Sequence, residues 1–96
     1  MAKGYWVSRV DIFAPETYRA YIEMSTAAVS AHGGRFVVRG GRCEQVEGAG
    51  RSRQIVLEFD SYEIALACYR SPEYQAAVAA RQPASVSDIV VVEGVD

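Results

Sequence analysis

The feature that most constrains the fold is the alternation of strand-like and helix-like segments along the chain. Runs rich in β-branched and aromatic residues, which are typical of strands, alternate with regions where apolar residues recur every three or four positions. The strand-like segments are residues 5–12, 36–39 with 43–47, 53–59 and 87–93. The helical regions are residues 15–32 and 60–82. The order of elements is therefore βαββαβ.

Both helical regions carry boundary signals. Pro15 stands at a first helical position, and a pair of glycines follows the last apolar position of that region. Asp60 is predicted to cap the second region, with Glu63 bonding back to the cap. Ser71 is predicted to start a further stretch of helix.

In a compact domain this order is the split-βαβ, or ferredoxin-like, α+β sandwich. Its four-stranded antiparallel sheet has the strand order 4-1-3-2, and both helices cover one face. The 96 residues leave room for a single domain, which we expect to span residues 1–96. A chain this short buries only about 60–65% of its unfolded surface, so a partner subunit would supplement a modest core.

Composition excludes several classes of partner. The net charge is −2 and the pI is near 5.4, so the surface has no basic excess for a phosphate backbone and nucleic acid is not expected. No apolar run approaches ~18 residues and no signal-peptide pattern is present, which favours a cytoplasmic protein without a membrane partner. Cys43 and Cys68 lack disulfide or metal-ligand spacing, and His32 is the only histidine. The sequence therefore predicts neither a metal nor a cofactor.

The sheet face away from the helices is predicted to carry a band of valines with charges at its ends. In each strand we assign the more apolar register to the helix side. The opposite registers are Tyr5, Val7 and Arg9; Arg35, Val37 and Arg39; Gln54, Val56 and Glu58; Ile89, Val91 and Glu93. Each valine left in water forgoes roughly 1.5 kcal/mol. We therefore predict a homodimer that packs sheet against sheet, the alternative being a solvated face whose valines serve strand propensity.

The expected strand directions also place the charged residues. We expect the first and third strands to run parallel, so that Arg9 lies beside Glu58 with Arg35 nearby. Arg39 is then expected at the other end of the face, near Tyr5. The glycines at 40–41 predict a bulge or bend in the strand, because no phosphate-loop pattern surrounds them.

Glu58 and His32 are the candidate catalytic residues. A carboxylate at Glu58 beside Arg9 would stay ionised and oriented, although a structural ion pair explains it equally well. His32 is the only histidine and could act as a general base, and its alternative role is to complement the C-terminal end of the first helix. Arg9, Arg39 and Glu58 are the candidate ligand-binding residues.

The stretches KGYWVSRVDI, GGRFVVRGG, VLEFDSYEIALACYRSPEYQ and DIVVVEG, in this order and spacing, resemble a bacterial family known as domain of unknown function thirteen-thirty. The resemblance runs over nearly the whole chain, and Ala14 departs from it where many relatives have a capping aspartate. It implies a dimeric α/β barrel of two ferredoxin-like subunits. The wider superfamily includes cofactor-free monooxygenases, muconolactone isomerases, haem-binding members and stress-response proteins, but the family itself implies no activity.

Two functional hypotheses follow from the sequence. The first is a homodimer that binds a small anionic or aromatic molecule in the cleft between the sheets. As an enzyme it would be a cofactor-independent oxygenase or isomerase, with Glu58 or His32 as base. The second is a non-catalytic structural or regulatory dimer with no ligand.

Overall fold

The computed structural model describes all 96 residues and contains four strands, three α-helices and one 3₁₀ turn. The strands are β1 (Gly4–Ile12), β2 (Arg35–Arg39), β3 (Arg53–Phe59) and β4 (Ser85–Glu93). The helices are α1 (Pro15–Ala31), α2 (Tyr62–Arg70) and α3 (Pro72–Arg81), followed by the 3₁₀ turn Gln82–Ala84. None of the helices combines the length and the apolar character needed to cross a membrane.

The sheet has the strand order β2-β3-β1-β4, and every neighbouring pair of strands is antiparallel. This arrangement confirms the predicted ferredoxin-like α+β fold and its strand order. The expected parallel direction of β1 and β3 is wrong. Because α1 carries the chain back across the sheet, β1 and β2 point the same way, and β3, which returns from β2, opposes both.

The pairing of β1 with β3 determines which charged residues meet. Tyr5 lies opposite Glu58, and Arg9 lies opposite Gln54. Arg35 on β2 is the other cross-strand neighbour of Glu58. The expected proximity of Arg9 and Glu58 is therefore wrong, because antiparallel pairing separates them to opposite ends of the two strands.

Strand β2 contains a β-bulge that was expected only at the glycine pair after it. The register shifts between Phe36 and Val38, so that Val37 is an extra residue in the strand. An extra residue reverses the alternation of side chains beyond it, and Arg39 therefore turns to the helix side of the sheet. The expectation that Arg39 shares a face with Arg35 is wrong for this reason.

The register of β4 also differs from the expected one. On the sheet face away from the helices, here called the open face, Val90 pairs with Val7. Ile89 and Val91 lie instead on the helix side, where Val91 packs against the core. The open-face residues of β4 are Val86, Asp88, Val90 and Val92. The open face therefore still carries a band of valines, to which β4 contributes Val90 and Val92 instead of Val91.

Strands β2 and β3 form the expected hairpin, but the chain between them is a long irregular connection, residues 40–52. The extended strand expected at 43–47 is not formed, and residues 41–50 are all exposed. Only the first residue of the connection, Gly40, donates a backbone hydrogen bond to the sheet, to the Gln54 carbonyl at 2.8 Å. The connection is therefore held mainly by side chains.

Helix α1 begins at Pro15 without a side-chain cap and ends at a glycine turn. Gly33 has a φ of 72°, a left-handed conformation that a glycine adopts without strain. A Cβ on Gly34 would collide with the side chains of Val29 and Phe59. The glycine pair thus ends the helix and lets the chain pass close to the core.

Helices α2 and α3 both begin at serine caps. The Ser61 hydroxyl accepts a hydrogen bond from the Ile64 amide at 3.1 Å, so the predicted cap at Asp60 is wrong by one residue. The Ser71 hydroxyl accepts a hydrogen bond from the Tyr74 amide at 3.2 Å, as predicted.

We expect Ser71→Ala to lower the free energy of unfolding by about 1–2 kcal/mol. The buried Ser71 hydroxyl also donates to the Cys68 carbonyl at 2.7 Å, so it joins the end of α2 to the start of α3. Urea unfolding followed by circular dichroism measures the loss. The control is Ser30→Ala at an exposed position of α1, which should change stability by less than about 0.5 kcal/mol. Equal losses in both variants would contradict the capping role.

The core lies between the helix side of the sheet and the helices, and it is centred on aromatic rings. Trp6 is 2% exposed, and its ring centroid lies 5.3 Å from that of Phe59, 5.9 Å from Tyr69 and 4.7 Å from Tyr74. The Trp6 Nε1 donates to the Ala65 carbonyl at 2.9 Å. One residue of β1 thereby contacts β3, α2 and α3 at once.

Candidate functional site

A narrow pocket opens between α1 and the helix side of the sheet, next to the aromatic core. Its space is about 490 Å³ when the open mouth is counted, and its enclosed interior is about 40 Å³. Its lining is mostly apolar and includes Trp6, Tyr18, Tyr21, Phe36 and Ile55. Such a surface suits an aromatic ring or a hydrocarbon. The pocket lies within the single chain, on the opposite side of the sheet from the open face.

Arg39 lines this pocket because of the bulge in β2. Its guanidinium carbon lies 3.9 Å from the centroid of the Phe36 ring, a cation–π arrangement. Its Nη2 donates to the Thr26 hydroxyl on α1 at 3.1 Å. The side chain is exposed and therefore keeps donors free for a ligand at the pocket.

Arg53, at the start of β3, also lines the pocket and was missed as a candidate. It shares the register of Ile55 and Leu57, which points to the helix side. Its Nε is buried and has no hydrogen-bond partner. Gly40, with a φ of 69°, lies so close that a Cβ there would collide with the Arg53 guanidinium. The sequence does carry a signal for Arg53, because it is the one charged residue in the otherwise apolar register of Ile55, Leu57 and Phe59.

Tyrosine hydroxyls form a short chain behind the pocket wall. The hydroxyl oxygens of Tyr21 and Tyr74 are 2.7 Å apart, and Arg81 Nη1 donates to the Tyr74 hydroxyl at 3.1 Å. Because Tyr74 is fully buried, its own proton needs an acceptor, and Tyr21 is the one within reach. The Tyr21 proton is then free to be donated elsewhere. Burial raises the pKa of Tyr74 well above its ordinary range, so this phenol stays protonated.

On the open face, Glu58 is held by Tyr5 and Arg35. Its carboxylate accepts a hydrogen bond from the Tyr5 hydroxyl at 2.8 Å and lies 2.7 Å from Arg35 Nη2. Arg35 Nε donates to the same Glu58 oxygen at 2.8 Å, and the other oxygen accepts the Tyr5 hydrogen bond. The Tyr5 hydrogen bond, followed by that of Arg35, holds the pKa of Glu58 below its ordinary value. This carboxylate has partners on both neighbouring strands and forms its ion pair with Arg35 rather than with the expected Arg9.

The lowered pKa of Glu58 predicts an acid-labile contribution to stability. The folded protein binds this proton less readily than the unfolded chain, so the contribution is full above pH 4.5 and is lost as pH falls through the lower folded pKa. We expect the unfolding midpoint of the wild type to fall more steeply below pH 4.5 than that of Glu58→Gln. Thermal melts across this range test the difference.

The matched control for this acid effect is Glu44→Gln, an exposed position in the connection 40–52. It should keep the steep wild-type pH profile, because Glu44 takes part in none of the ion pairs. Parallel profiles for the wild type and Glu58→Gln would contradict the prediction.

The other end of the open face is held by Arg51 of the connection. Its guanidinium nitrogens lie 2.7 Å from an Asp88 oxygen and 3.1 Å from an Asp11 oxygen. The Ser52 amide donates to Asp11 at 2.8 Å, and this hydrogen bond is the main cause of a lowered Asp11 pKa. Together these contacts fasten the connection to β1 and β4.

Arg9 lies at this same end of the open face. Its Nη2 donates to the Ala49 carbonyl at 3.3 Å and to the Gln45 side-chain oxygen at 3.4 Å. Arg9 therefore supports the connection 40–52 and lies far from Glu58 in the β1–β3 register. The three predicted ligand-binding residues occupy three different places.

His32 follows the last residue of α1 and is not part of the pocket lining. Its Nδ1 lies 2.9 Å from the Ala28 carbonyl, and because a carbonyl only accepts, Nδ1 carries the proton. The geometry is that of a residue complementing the helix C-terminus.

The cysteines are separate, with Cys43 exposed in the connection and Cys68 buried in the core. Burial raises the pKa of Cys68 to about 12, so this thiol stays protonated. No group of three or more histidine, cysteine, aspartate or glutamate side chains is placed to hold a metal ion.

The protein is thus of the ferredoxin-like α+β class, and its pocket lies under the first helix. The chain belongs to the family described as domain of unknown function DUF1330, whose model matches residues 3–95. No curated protein sequence matches it significantly.

Solved structures share the fold at low sequence identity. The RPA0582 protein of unknown function from Rhodopseudomonas palustris matches with a TM-score of 0.74 and 22% identity, over 99% of this chain and 84% of its own. SnoaB, a cofactor-independent oxygenase from Streptomyces nogalater, matches with a TM-score of 0.66 and 14% identity, over 100% and 96%. A dimeric ferredoxin-like protein of unknown function from Thermobifida fusca gives 0.53 and 16%, over 96% and 89%. These likenesses concern the fold.

Proposed function

We propose that this protein is a cytoplasmic homodimer that binds a small aromatic or anionic molecule in the pocket of each subunit. The observation that carries the proposal is the pocket itself, which combines aromatic walls with two arginines. The proposed binding site is therefore the space under α1, whereas the sequence predicted it in the cleft between the sheets. Arg39 is the predicted ligand-binding residue that reaches it, whereas Arg9 and Glu58 lie on the open face.

The proposed dimer uses the open face as its interface. Val37, Val38, Val86, Val90 and Val92 are each more than 40% exposed, although all belong to strands of the sheet. Charged clusters lie at two ends of this apolar band, around Glu58 and around Arg51. An apolar centre with a polar rim is the usual anatomy of an interface between subunits. The Thermobifida fusca protein of this fold is described as dimeric, which supports assembly into a dimer.

The lining of the pocket supports binding rather than catalysis by Glu58 or His32, because neither of these predicted bases lies there. Its ionisable side chains are Tyr18, Tyr21, Arg39 and Arg53, and it contains neither a carboxylate nor a histidine. A catalytic version, a cofactor-independent oxygenase or isomerase, would therefore use a tyrosine hydroxyl as the proton donor rather than Glu58 or His32. The likeness to SnoaB supports that version only through the fold.

Native mass spectrometry of the protein purified from its own host tests the binding function. We expect a co-purified small organic molecule, and a thermal-shift screen of aromatic compounds should identify stabilising analogues. Arg39→Ala should reduce the shift of such a compound. The control is Arg42→Ala, an exposed position outside the pocket, which should leave the shift unchanged.

The alternative is a non-catalytic structural or regulatory dimer with no ligand. A dimer that carries no molecule and is stabilised by none of the aromatic compounds would favour it and would contradict the binding function. A compound whose shift is the same in the wild type and Arg39→Ala would remove Arg39 from the site while keeping the pocket.

A further inference from the structure

The charge inside the pocket is one-sided. Two of the lining residues, Arg39 and Arg53, are permanently charged, both are positive, and no aspartate or glutamate accompanies them. The two arginines are diagonal neighbours on adjacent strands, because Arg39 pairs with Ile55 and Arg53 precedes Ile55 by two positions on the same face. Two positive side chains this close repel each other unless an anion lies near them.

Two arginines at the ends of the open face show the contrast, while the third, Arg9, bonds only to neutral oxygens of the exposed connection 40–52. Arg35 and Arg51 each lie 2.7 Å from a carboxylate oxygen, whereas neither Arg39 nor Arg53 takes part in any ion pair of the chain. The protein thus pairs these open-face arginines and leaves the pocket arginines without a counter-charge. This difference points to a counter-charge supplied from outside the chain.

Arg53 also has a donor with no partner. Its Nε–H is buried and makes no hydrogen bond, and a buried donor attached to a charge is costly to leave unpaired. The Nε of an arginine and one neighbouring Nη form a fork that matches the two oxygens of a carboxylate. Arg39 is exposed, so it lies nearer to the solvent than Arg53.

We propose that the ligand is an aromatic carboxylate whose acid group binds the Arg53 fork while its ring lies against the aromatic wall of the pocket. Tyr18 and Phe36 offer the ring contacts, and Arg39 adds positive charge at the mouth. This inference rests on the proposed function and sharpens it, because it requires acid and ring in one molecule. It assigns to Arg53 the role of anion receptor.

Matched pairs of acids and neutral amides test the inference. Benzoate is compared with benzamide, and 1-naphthoate with 1-naphthamide, by titration into ¹⁵N-labelled protein while the amide signals of Ile55 and Tyr21 are followed. We expect the acid of at least one pair to bind about tenfold or more tightly than its amide. Arg53→Met should reduce this preference to nearly one, and Arg53→Lys should restore only part of it because lysine lacks the fork.

Arg70→Met is the matched control, since Arg70 is exposed at the end of α2 and lies outside the pocket. It should keep the full preference for the acid. Acid and amide that bind this pocket equally well would overturn the inference and leave the proposed function standing. If neither member of either pair perturbs the pocket signals, the proposed function fails together with the inference. If Arg53→Met does not fold, Arg53→Lys alone serves as the test. An acid preference that stays at the wild-type value in Arg53→Lys would also overturn the assignment of the acid group to the Arg53 fork.

Discussion

We expect Val90→Arg to convert the proposed dimer into a monomer of 10.5 kDa that keeps the wild-type fold. Val90 is 54% exposed, so the substitution costs the single subunit little. In a sheet-to-sheet dimer the same arginine would be buried in the valine band, and two copies would be buried at once. Because Asp88, the nearest carboxylate on β4, is already bound to Arg51, the new charges would be poorly paired. A poorly paired buried charge costs several kcal/mol, so the dissociation constant should rise by about 100-fold or more.

Light scattering or sedimentation at micromolar concentration measures this change. The wild type should have twice the mass of the chain and Val90→Arg the mass of one chain. The control is Ile64→Arg, because Ile64 is a similarly apolar residue, 37% exposed, on α2 and away from the open face. It should remain dimeric. A monomeric wild type, or a dimer that Ile64→Arg disrupts and Val90→Arg does not, would contradict the proposed interface.

The fold could be predicted from the sequence because its local signals agree with each other. The strand-like and helix-like segments have different periods, and proline, serine and glycine mark their ends. Ser71 is both a predicted and an observed cap. The error at Asp60 is small because Ser61 is also a capping residue type and stands one position later.

The position of Arg39 could not be predicted because a bulge adds one residue without any change in composition. RFVVR reads as a regular alternation, and nothing in it marks Val37 as the extra residue. A single extra residue moves every later side chain to the opposite face. For Arg39 this change decides whether it lies on the open face or lines the pocket.

The register of β4 was ambiguous for a different reason. In SDIVVVE both alternating sets are apolar, so the pattern does not say which valines face the helices. The pairing with β1 resolves it, since Val91 lies opposite Trp6 on the buried side and Val90 opposite Val7 on the open side. The open face carries a valine from β4 in either register, because Val90 and Val91 stand next to each other at the centre of the strand.

The two faces of the sheet divide the proposed functions. On the open face, Arg35 and Arg51 are paired with carboxylates, and Arg9 bonds to neutral oxygens of the connection 40–52. On the helix side, Arg39 and Arg53 have no carboxylate partner and lie next to aromatic rings. Assembly and ligand binding can therefore be tested with separate substitutions, Val90→Arg for the first and Arg53→Met for the second.

The largest loss of stability is expected for Trp6→Ala, at about 3–5 kcal/mol. Trp6 is 2% exposed, its ring contacts Phe59 and Tyr74, and its Nε1 hydrogen bond to Ala65 ties β1 to α2. Total stability of a domain this size is about 5–15 kcal/mol, so the variant should lose a large share of it and melt at a clearly lower temperature than the wild type. Because Trp6 is the only tryptophan, unfolding must be followed by circular dichroism instead of fluorescence.

Phe13→Ala is the matched control for Trp6→Ala, since it also removes a large aromatic ring but from a position that is 63% exposed. It should change the free energy of unfolding by less than about 0.5 kcal/mol. Trp6→Phe separates the two contributions of Trp6, because it keeps a ring and loses the hydrogen bond to Ala65. A loss below about 1 kcal/mol in Trp6→Ala would mean that the aromatic centre is not what holds α2 and α3 against the sheet. The pocket beside it would then lack the rigid wall on which the proposed ligand selectivity depends.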